Sequence, residues 1–245
     1  MWLGVHSAQS QPPTLLKGIA VTKSDTTSDQ DFTPALGKSI LTPLYDCAIS
    51  LLTREQVWRS RVVSAVAPTS NDRILDVGCG TGTLAINLAL AADRSVSIHG
   101  LDPDPNVLMR AEGKSLASGV RVQWHEGFLD REFLGTQAPF NTVLSSLVLH
   151  QTPLSEKRRI LCLANEALVE RGRLVVADYG LQETATMRFL FRQTVQRIDG
   201  VIDTQPNADG ILPELIEEAG FLIQYPLFVL PTLTGSISVI VASKI

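Results

Sequence analysis

The chain has 245 residues, of which 44% are hydrophobic and 19% charged, with a formal net charge of −4. That is the composition of a chain that builds a sizeable core, and its mild acidity argues against broad, phosphate-driven binding to nucleic acid. The three cysteines, Cys47, Cys79 and Cys162, form no CxxC pair and no Cys/His cluster, so neither a disulfide framework nor a metal site is expected.

In chain order, residues 1–31 are rich in Ser, Thr, Gln, Pro and Asp and carry no sustained period, the pattern of a flexible arm. The first residues lack the charged and continuous apolar regions of a signal peptide, and a cytoplasmic setting is the default. Residues 32–70 change character. FTPALGKSILTPLYDCAISLL has apolar residues at helical spacing, and TREQVWRSRVVSAVAP follows it. Thr53 with Gln56 reads as a capping box, and Pro68 closes the helix. This segment is expected to lie over or beside the site as a helical lid.

From residue 71 onward strands and helices alternate. RILDVG, SVSIHGLD, VRVQWHEG, FNTVLSSLVL and RLVVADYG read as strands, and TGTLAINLALAA, PNVLMRAEGKSLAS and SEKRRILCLANEALVERG as helices. Such alternation predicts a parallel sheet covered on both faces. LPELIEEAGF is a further helix, and FLIQYPLFVLP and GSISVIVASK then follow one another as an antiparallel hairpin at one edge. Pro226 and Pro231 break the most apolar stretch, so no membrane span is expected. The expected fold is α/β: a doubly wound, seven-stranded sheet with helices on both faces. An insertion at 181–208 carries Met187, Leu190, Phe191, Val195 and Ile198 at helical spacing, read as core or lid, and Arg188, Arg192 and Arg197 on a solvated face.

RILDVGCGTGTLA places a glycine loop directly after the first strand, where ligands bind in open α/β sheets. No lysine follows Gly82, which removes a triphosphate loop of the GxxxxGK type. Gly78 and Gly80 match the first two glycines of a dinucleotide loop, but Thr83 stands at the third. Asp76, just before the loop, would repel a pyrophosphate and favour a ligand carrying positive charge. S-adenosylmethionine is such a ligand. Asp76 suits its ammonium, the glycines admit its amino-acid portion, and Asp102 in GLDPD is spaced to accept from the ribose hydroxyls.

ILDVGCGTG and GLDPD resemble the corresponding motifs of class I S-adenosylmethionine-dependent methyltransferases, and the later strands follow in the same order. The resemblance implies a Rossmann-like fold and a cofactor site at Asp76, Gly78, Cys79, Gly80, Thr81, Gly82, Asp102 and Pro103. It extends the site to Gly127, Phe128, Leu129 and Ser145, with Ser146 beside it. Many members place an acid after the glycine of the third strand for the adenine amino group; here Phe128 stands there, and only Asp130 is near enough to substitute. The fourth strand begins with Asn141 where many members have Asp. His150 and Tyr45 are the candidate catalytic residues, and Asp178 and Tyr179 end the fifth strand at the rim. LTPLYD…TREQVWR and QRIDG…LIEEAGF resemble small-molecule methyltransferases near the ubiquinone and menaquinone biosynthesis group. The expected function is therefore methyl transfer to an O, N or C nucleophile of a small, partly apolar molecule by a monomer or homodimer. The alternative is a cofactor-binding regulatory or partner protein without turnover.

Overall fold

The structure, a computed structural model, describes residues 53–245. The expected arm at 1–31, the segment 32–52 and Tyr45 lie outside the described residues. The first described helix, α1 (Glu55–Val66), buries Trp58, Val62 and Val66. Its start differs from the expected capping box. Arg54 is the N-cap, at φ 52°, with no side-chain cap bond, whereas a Ser or Thr cap needs an extended backbone at that position. Arg173 donates to the carbonyls of Ala65 (2.8 Å) and Val66 (3.0 Å) and so ties the end of α1 to the sheet.

The alternating unit forms as the pattern predicts: β1 (Arg73–Val77), α2 (Thr83–Ala91), β2 (Ser97–Asp102), α3 (Pro105–Ala117) and β3 (Gln123–Glu126). A short helix, α4 (Arg131–Gln137), intervenes before β4 (Phe140–Ser146). Asp130 caps it by accepting from the Phe133 amide at 2.8 Å. A 3-10 turn (Leu149–Gln151), α5 (Leu154–Ala167) and β5 (Leu168–Tyr179) follow. The sequence pattern carried this helix to Gly172. It ends at Ala167 instead because Leu168 pairs with Phe140, and β5 resumes past an irregularity to pair Arg173 with Thr142. The insertion folds as α6 (Ala185–Gln193), α7 (Val195–Asp199) and α8 (Val201–Ala208), and α9 (Leu212–Glu218) leads into β6 (Phe221–Ile223), β7 (Phe228–Thr232) and β8 (Gly235–Lys244).

The sheet has eight strands in the order β3-β2-β1-β4-β5-β8-β6, with β7 also paired to β8. Strands β1 to β5 pair in parallel, and β8 runs antiparallel to β5, β6 and β7. The expected hairpin is β7–β8. The eighth strand arises because FLIQYPLFVLP is two strands, β6 and β7, broken around Pro226 and laid end to end along β8. Pro231 is tolerated because β7 is an edge strand and leaves one side unpaired.

Each face of the sheet carries its own core. Leu75, Val77, Val143 and Val176 pack against α5 and α9 through Leu161, Ala164, Leu215 and Ile216. Ile74, Leu144, Val175 and Ala177 pack against α1, α2 and α6 through Trp58, Leu84, Leu88 and Phe191. Each fully buried Leu or Phe contributes about 1.5–3 kcal/mol. The apolar stripe of the insertion divides: Phe191 and Val195 join this core, while Ile198 faces solvent at 67% exposure. Among the described residues, no helix is long and apolar enough to cross a membrane.

At the β2–β3 edge, His99 Nδ1 lies 3.0 Å from His125 Nε2, the rings stack 5.2 Å apart, and His99 Nε2 meets the Ser97 hydroxyl at 3.0 Å. Burial, then His125 and Arg73, lower the His99 pKa to about 4; burial also lowers that of His125. A depressed histidine pKa means that the folded state excludes a proton the unfolded chain accepts below about 6.5. Stability is therefore expected to fall as pH drops from about 6.5 towards 4. Replacing His99 with Gln should flatten that limb of a thermal-melt pH series, and an unchanged limb would assign it to other groups.

Candidate functional site

The site forms at the carboxyl ends of β1, β2, β4 and β5. Four hydrogen bonds shape the glycine loop. The amides of Gly78 and Cys79 donate to the Leu101 carbonyl (2.8 and 3.1 Å), Gly82 donates to the Cys79 carbonyl (2.9 Å), and Gly80 donates to Asp102 Oδ2 (2.8 Å). Lys114 braces the outer side, donating to the Thr81 carbonyl (2.8 Å) and the Thr83 hydroxyl (2.6 Å). Two glycines play different parts. Gly82, at φ 71°, faces Trp124 and Ala111, and a Cβ there would overlap the indole. Gly80, at φ 52°, has nothing among the described residues within 4 Å of a Cβ built there.

Asp76 ends up fully buried on the α1 side of β1, and neither carboxylate oxygen has a hydrogen-bond partner among the described residues. Burial raises its pKa to about 8; Arg59 opposes the rise and Asp102 adds to it. An orphaned buried acid is costly and rare. An ammonium group brought to it would restore both the charge and the hydrogen bonds. Asp102 accepts from Gly80 and, through Oδ1, from the Asp104 amide at 3.0 Å. Each oxygen keeps lone-pair capacity for a diol. Burial raises the Asp102 pKa, and the two amide bonds oppose that rise. The donor set and the open Gly80 cradle thus fit S-adenosylmethionine. Pro103 and Asp104 turn the chain from Asp102 into α3, where Asp104 accepts from the Asn106 amide at 2.8 Å.

The other predicted residues divide. Gly127, at φ 143°, donates to the Asp102 carbonyl at 3.1 Å, which brings the end of β3 to the end of β2. Phe128 is 39% exposed and Leu129 is buried. Asp130 caps α4 through Oδ1, which accepts from the Phe133 amide. The Ser145 hydroxyl donates to the Val77 carbonyl at 3.1 Å and joins β4 to β1. Asn141 lies at the opposite end of β4, where its side chain accepts from the Arg73 amide at 2.8 Å. Cys79 is buried, and burial pushes its thiol far up, so it is no nucleophile.

His150 is bound on both ring nitrogens. Nδ1 meets Asp178 Oδ1 at 2.7 Å, and Nε2 meets Asp199 Oδ2 at 3.4 Å. Burial opposes its charge, yet the two carboxylates prevail and hold its pKa up to about 9. Asp178 Oδ2 also accepts from the amides of Val148 (3.1 Å) and Leu149 (2.7 Å), so Asp178 shapes the turn after β4. Buried Lys157 donates to the carbonyls of Leu149, Thr152 (2.6 Å) and Asp203 (2.9 Å), and Asn207 donates to the Tyr179 carbonyl at 2.9 Å. Together these bonds fasten α7 and α8 to the rim of the sheet. Tyr179 stacks edge-on to His150 and bonds the Thr234 hydroxyl at 2.8 Å. The turn itself is strained at Leu147 (φ 54°), and Val148 sits where a Cβ on Gly78 would go.

Sequence reasoning did not single out Trp124, Val148, Lys157, Asp199 or Arg59. Trp124 was visible as a bulky residue on β3, but only the fold shows that it fills the space left by Gly82 and Gly100.

Residues 74–172 match a family described as a methyltransferase domain. The demethylmenaquinone methyltransferase of Thermus thermophilus is 28% identical over 211 residues, which cover 77% of this chain and 93% of that one. Among solved structures, magnesium protoporphyrin IX methyltransferase from Synechocystis with bound SAH aligns with a TM-score of 0.60 at 18% identity, over 86% of this chain and 91% of that chain. Its form with bound SAM aligns with a TM-score of 0.59. At that identity the structural likeness speaks for the fold.

Proposed function

We propose that the chain is a class I S-adenosylmethionine-dependent methyltransferase and that it methylates an O, N or C nucleophile of a small, partly apolar molecule. The observation that carries the site assignment is the orphaned, fully buried Asp76 beside the open Gly80 cradle. In this reading Asp76 and the loop Gly78, Cys79, Gly80, Thr81, Gly82 hold the amino-acid end of the cofactor. Asp102 and Pro103 hold the ribose, and Gly127, Phe128 and Leu129 border the adenine. The bound cofactor supplies a methyl group already activated on a sulfonium. The chain's task is then alignment and exclusion of water. The insertion α6–α8, fastened to the rim through His150 and Lys157, would wall the acceptor side. The partly apolar acceptor is supported by the relative named for demethylmenaquinone.

His150 serves here as a positioning residue. With its pKa at about 9 and both nitrogens engaged, it is charged at neutral pH and holds no free lone pair for a substrate proton. Replacing Asp102 with Ala is expected to weaken binding of S-adenosylhomocysteine by about 10- to 100-fold, the range of a hydrogen bond to a charged group. It should also loosen the glycine loop, because Gly80 loses its acceptor. Calorimetry giving an unchanged dissociation constant would place the ribose elsewhere.

The direct test incubates the protein with radiolabelled cofactor and metabolite extracts. Label transferred to an apolar metabolite supports the reading. A second reading, cofactor binding without turnover, is favoured by Phe128 at the adenine position and by the engaged His150 nitrogens. Tight calorimetric binding of S-adenosylhomocysteine with no label transferred from any extract would select it.

A further inference from the structure

The insertion α6–α8 turns polar groups inward and apolar groups outward. Asp199 bonds inward to His150, the Asp203 carbonyl accepts from buried Lys157, and Thr204 and Asn207 are buried. Their neighbours Ile198, Val201 and Ile202, on either side of the turn at Gly200, are 67%, 55% and 88% exposed. On α6, Phe189 is 60% exposed. It shares one side of that helix with Arg188 and Arg192, both exposed and four residues apart. Large apolar side chains held in water, on a segment whose polar groups are turned in, mark a surface that another body covers.

Charge indicates what kind of body. From Met187 to Ile202 the exposed charged side chains are Arg188, Arg192 and Arg197, and the one acid of that stretch, Asp199, is turned to His150. The chain as a whole carries −4, so this face is opposite in sign to the whole. Two copies of the face paired about a two-fold axis would set arginines against arginines. The complementary partner is therefore anionic and takes up aliphatic side chains. A folded protein would have to place an acid and a pocket opposite each of these groups. An anionic bilayer surface needs no such fit, because its headgroups move to the arginines and its apolar boundary accepts isoleucine, valine and phenylalanine.

We propose that the outer side of α6–α8 docks on an anionic lipid surface. Phe189, Ile198, Val201 and Ile202 enter the boundary between headgroups and acyl chains, and Arg188, Arg192 and Arg197 pair with lipid phosphates. The inference goes beyond the methyl-transfer reading and does not depend on it. It gives a part to side chains that neither the core nor the cofactor crevice uses. Arginine suits this boundary, since it stays charged there and meets phosphate with a planar fork.

The test is co-sedimentation of the full chain with vesicles of phosphatidylglycerol and phosphatidylcholine in equal parts, and with vesicles of phosphatidylcholine alone. Binding to the anionic vesicles is expected to exceed binding to the neutral ones by about tenfold or more and to weaken as salt rises. Ile198→Ser with Ile202→Ser should weaken it by about tenfold or more. Arg192→Gln with Arg197→Gln should weaken it about 10- to 30-fold at low salt. All four side chains are exposed, so both variants should melt with the wild type. Failure of the wild type to pellet with anionic vesicles at millimolar lipid overturns the proposal. So does equal pelleting of the wild type and both variants, which places the contact on another surface. Sedimentation velocity adds a further check: a dimer that Ile198→Ser with Ile202→Ser disperses assigns the face to a second copy and overturns lipid docking. If that variant melts several degrees lower and the wild type binds no vesicles, the face is covered by another segment of this chain, and the proposal falls.

Discussion

Replacing Asp76 with Asn is expected to raise the melting temperature of the ligand-free protein while weakening S-adenosylhomocysteine binding about 10- to 100-fold. The two effects have one cause. In the folded chain the Asp76 carboxyl is desolvated and unpartnered, and its pKa stands at about 8 instead of the usual carboxylate value. Between about pH 4 and 8 the folded state therefore holds a proton that the unfolded state has lost. The contribution of Asp76 to stability is most favourable below about pH 4 and is lost as pH rises through 8. At about 1.4 kcal/mol per pH unit, the cost at pH 7 is on the order of 4 kcal/mol. An asparagine never ionises but leaves an unsatisfied amide, which costs about 1–3 kcal/mol. The net gain is about 1–3 kcal/mol, or roughly 3–10 °C for a domain of this size. Melts across pH 5–9 should show the variant with a flatter profile and an advantage that grows to about pH 8 and then levels off. A variant that melts lower at every pH, or that binds the ligand as tightly as the wild type, counts against this account. The same proton has a second consequence. An ammonium ligand favours ionised Asp76, so its binding releases a proton, and affinity should rise with pH towards 8.

Substitutions at Gly82 and Gly80 are expected to fail in opposite ways. Both glycines have positive φ, which costs an alanine about 1–2 kcal/mol. At Gly82 the added Cβ also overlaps the Trp124 ring and comes within 2.8 Å of the Ala111 Cβ. The half-buried ring packs against Gly100 of β2 and Gly82 of the loop, so overpacking adds about 1–3 kcal/mol. Gly82→Ala should thus destabilise the fold by about 2–5 kcal/mol, a drop of roughly 5–15 °C. At Gly80 nothing among the described residues meets the Cβ. Gly80→Ala should melt within a few degrees of the wild type yet bind S-adenosylhomocysteine at least about tenfold more weakly, since its methyl group occupies the cradle. Trp124→Leu, which shortens the clashing side chain, should recover part of the Gly82→Ala loss, because contacting residues are not additive. Identical behaviour of the two glycine variants in both assays would remove the distinction.

The glycine loop and its two acids were legible because their signals are local. A strand period, three glycines and an acid at the end of the next strand fall within RILDVG…GLD, and the structure joins them through the Gly80–Asp102 bond. Phe128 was legible as a departure. Asp130 was not legible as a cap. A short helix of seven residues, Arg131–Gln137, leaves too brief a pattern to recognise, yet Asp130 Oδ1 caps it. The readings of Asp178 and Tyr179 as rim residues were right in place but incomplete in role. Asp178 organises the turn after β4, and its partner His150 comes from another element.

By itself the sequence determined the parallel α/β sheet, the antiparallel end, the glycine loop and the two acids placed beside it. Those follow from backbone period, from the φ values that only glycine adopts without strain, and from the charge of residues close in the chain. Tertiary structure alone decided how the broken strand β6–β7 lies along β8, that Trp124 packs over Gly82, and that Asp199 and Lys157 bind the insertion to the rim. It also set Arg59 opposite an unpartnered Asp76. These depend on which elements are neighbours across the sheet and on where packing holds charged groups apart, and no short-range pattern in a chain encodes either.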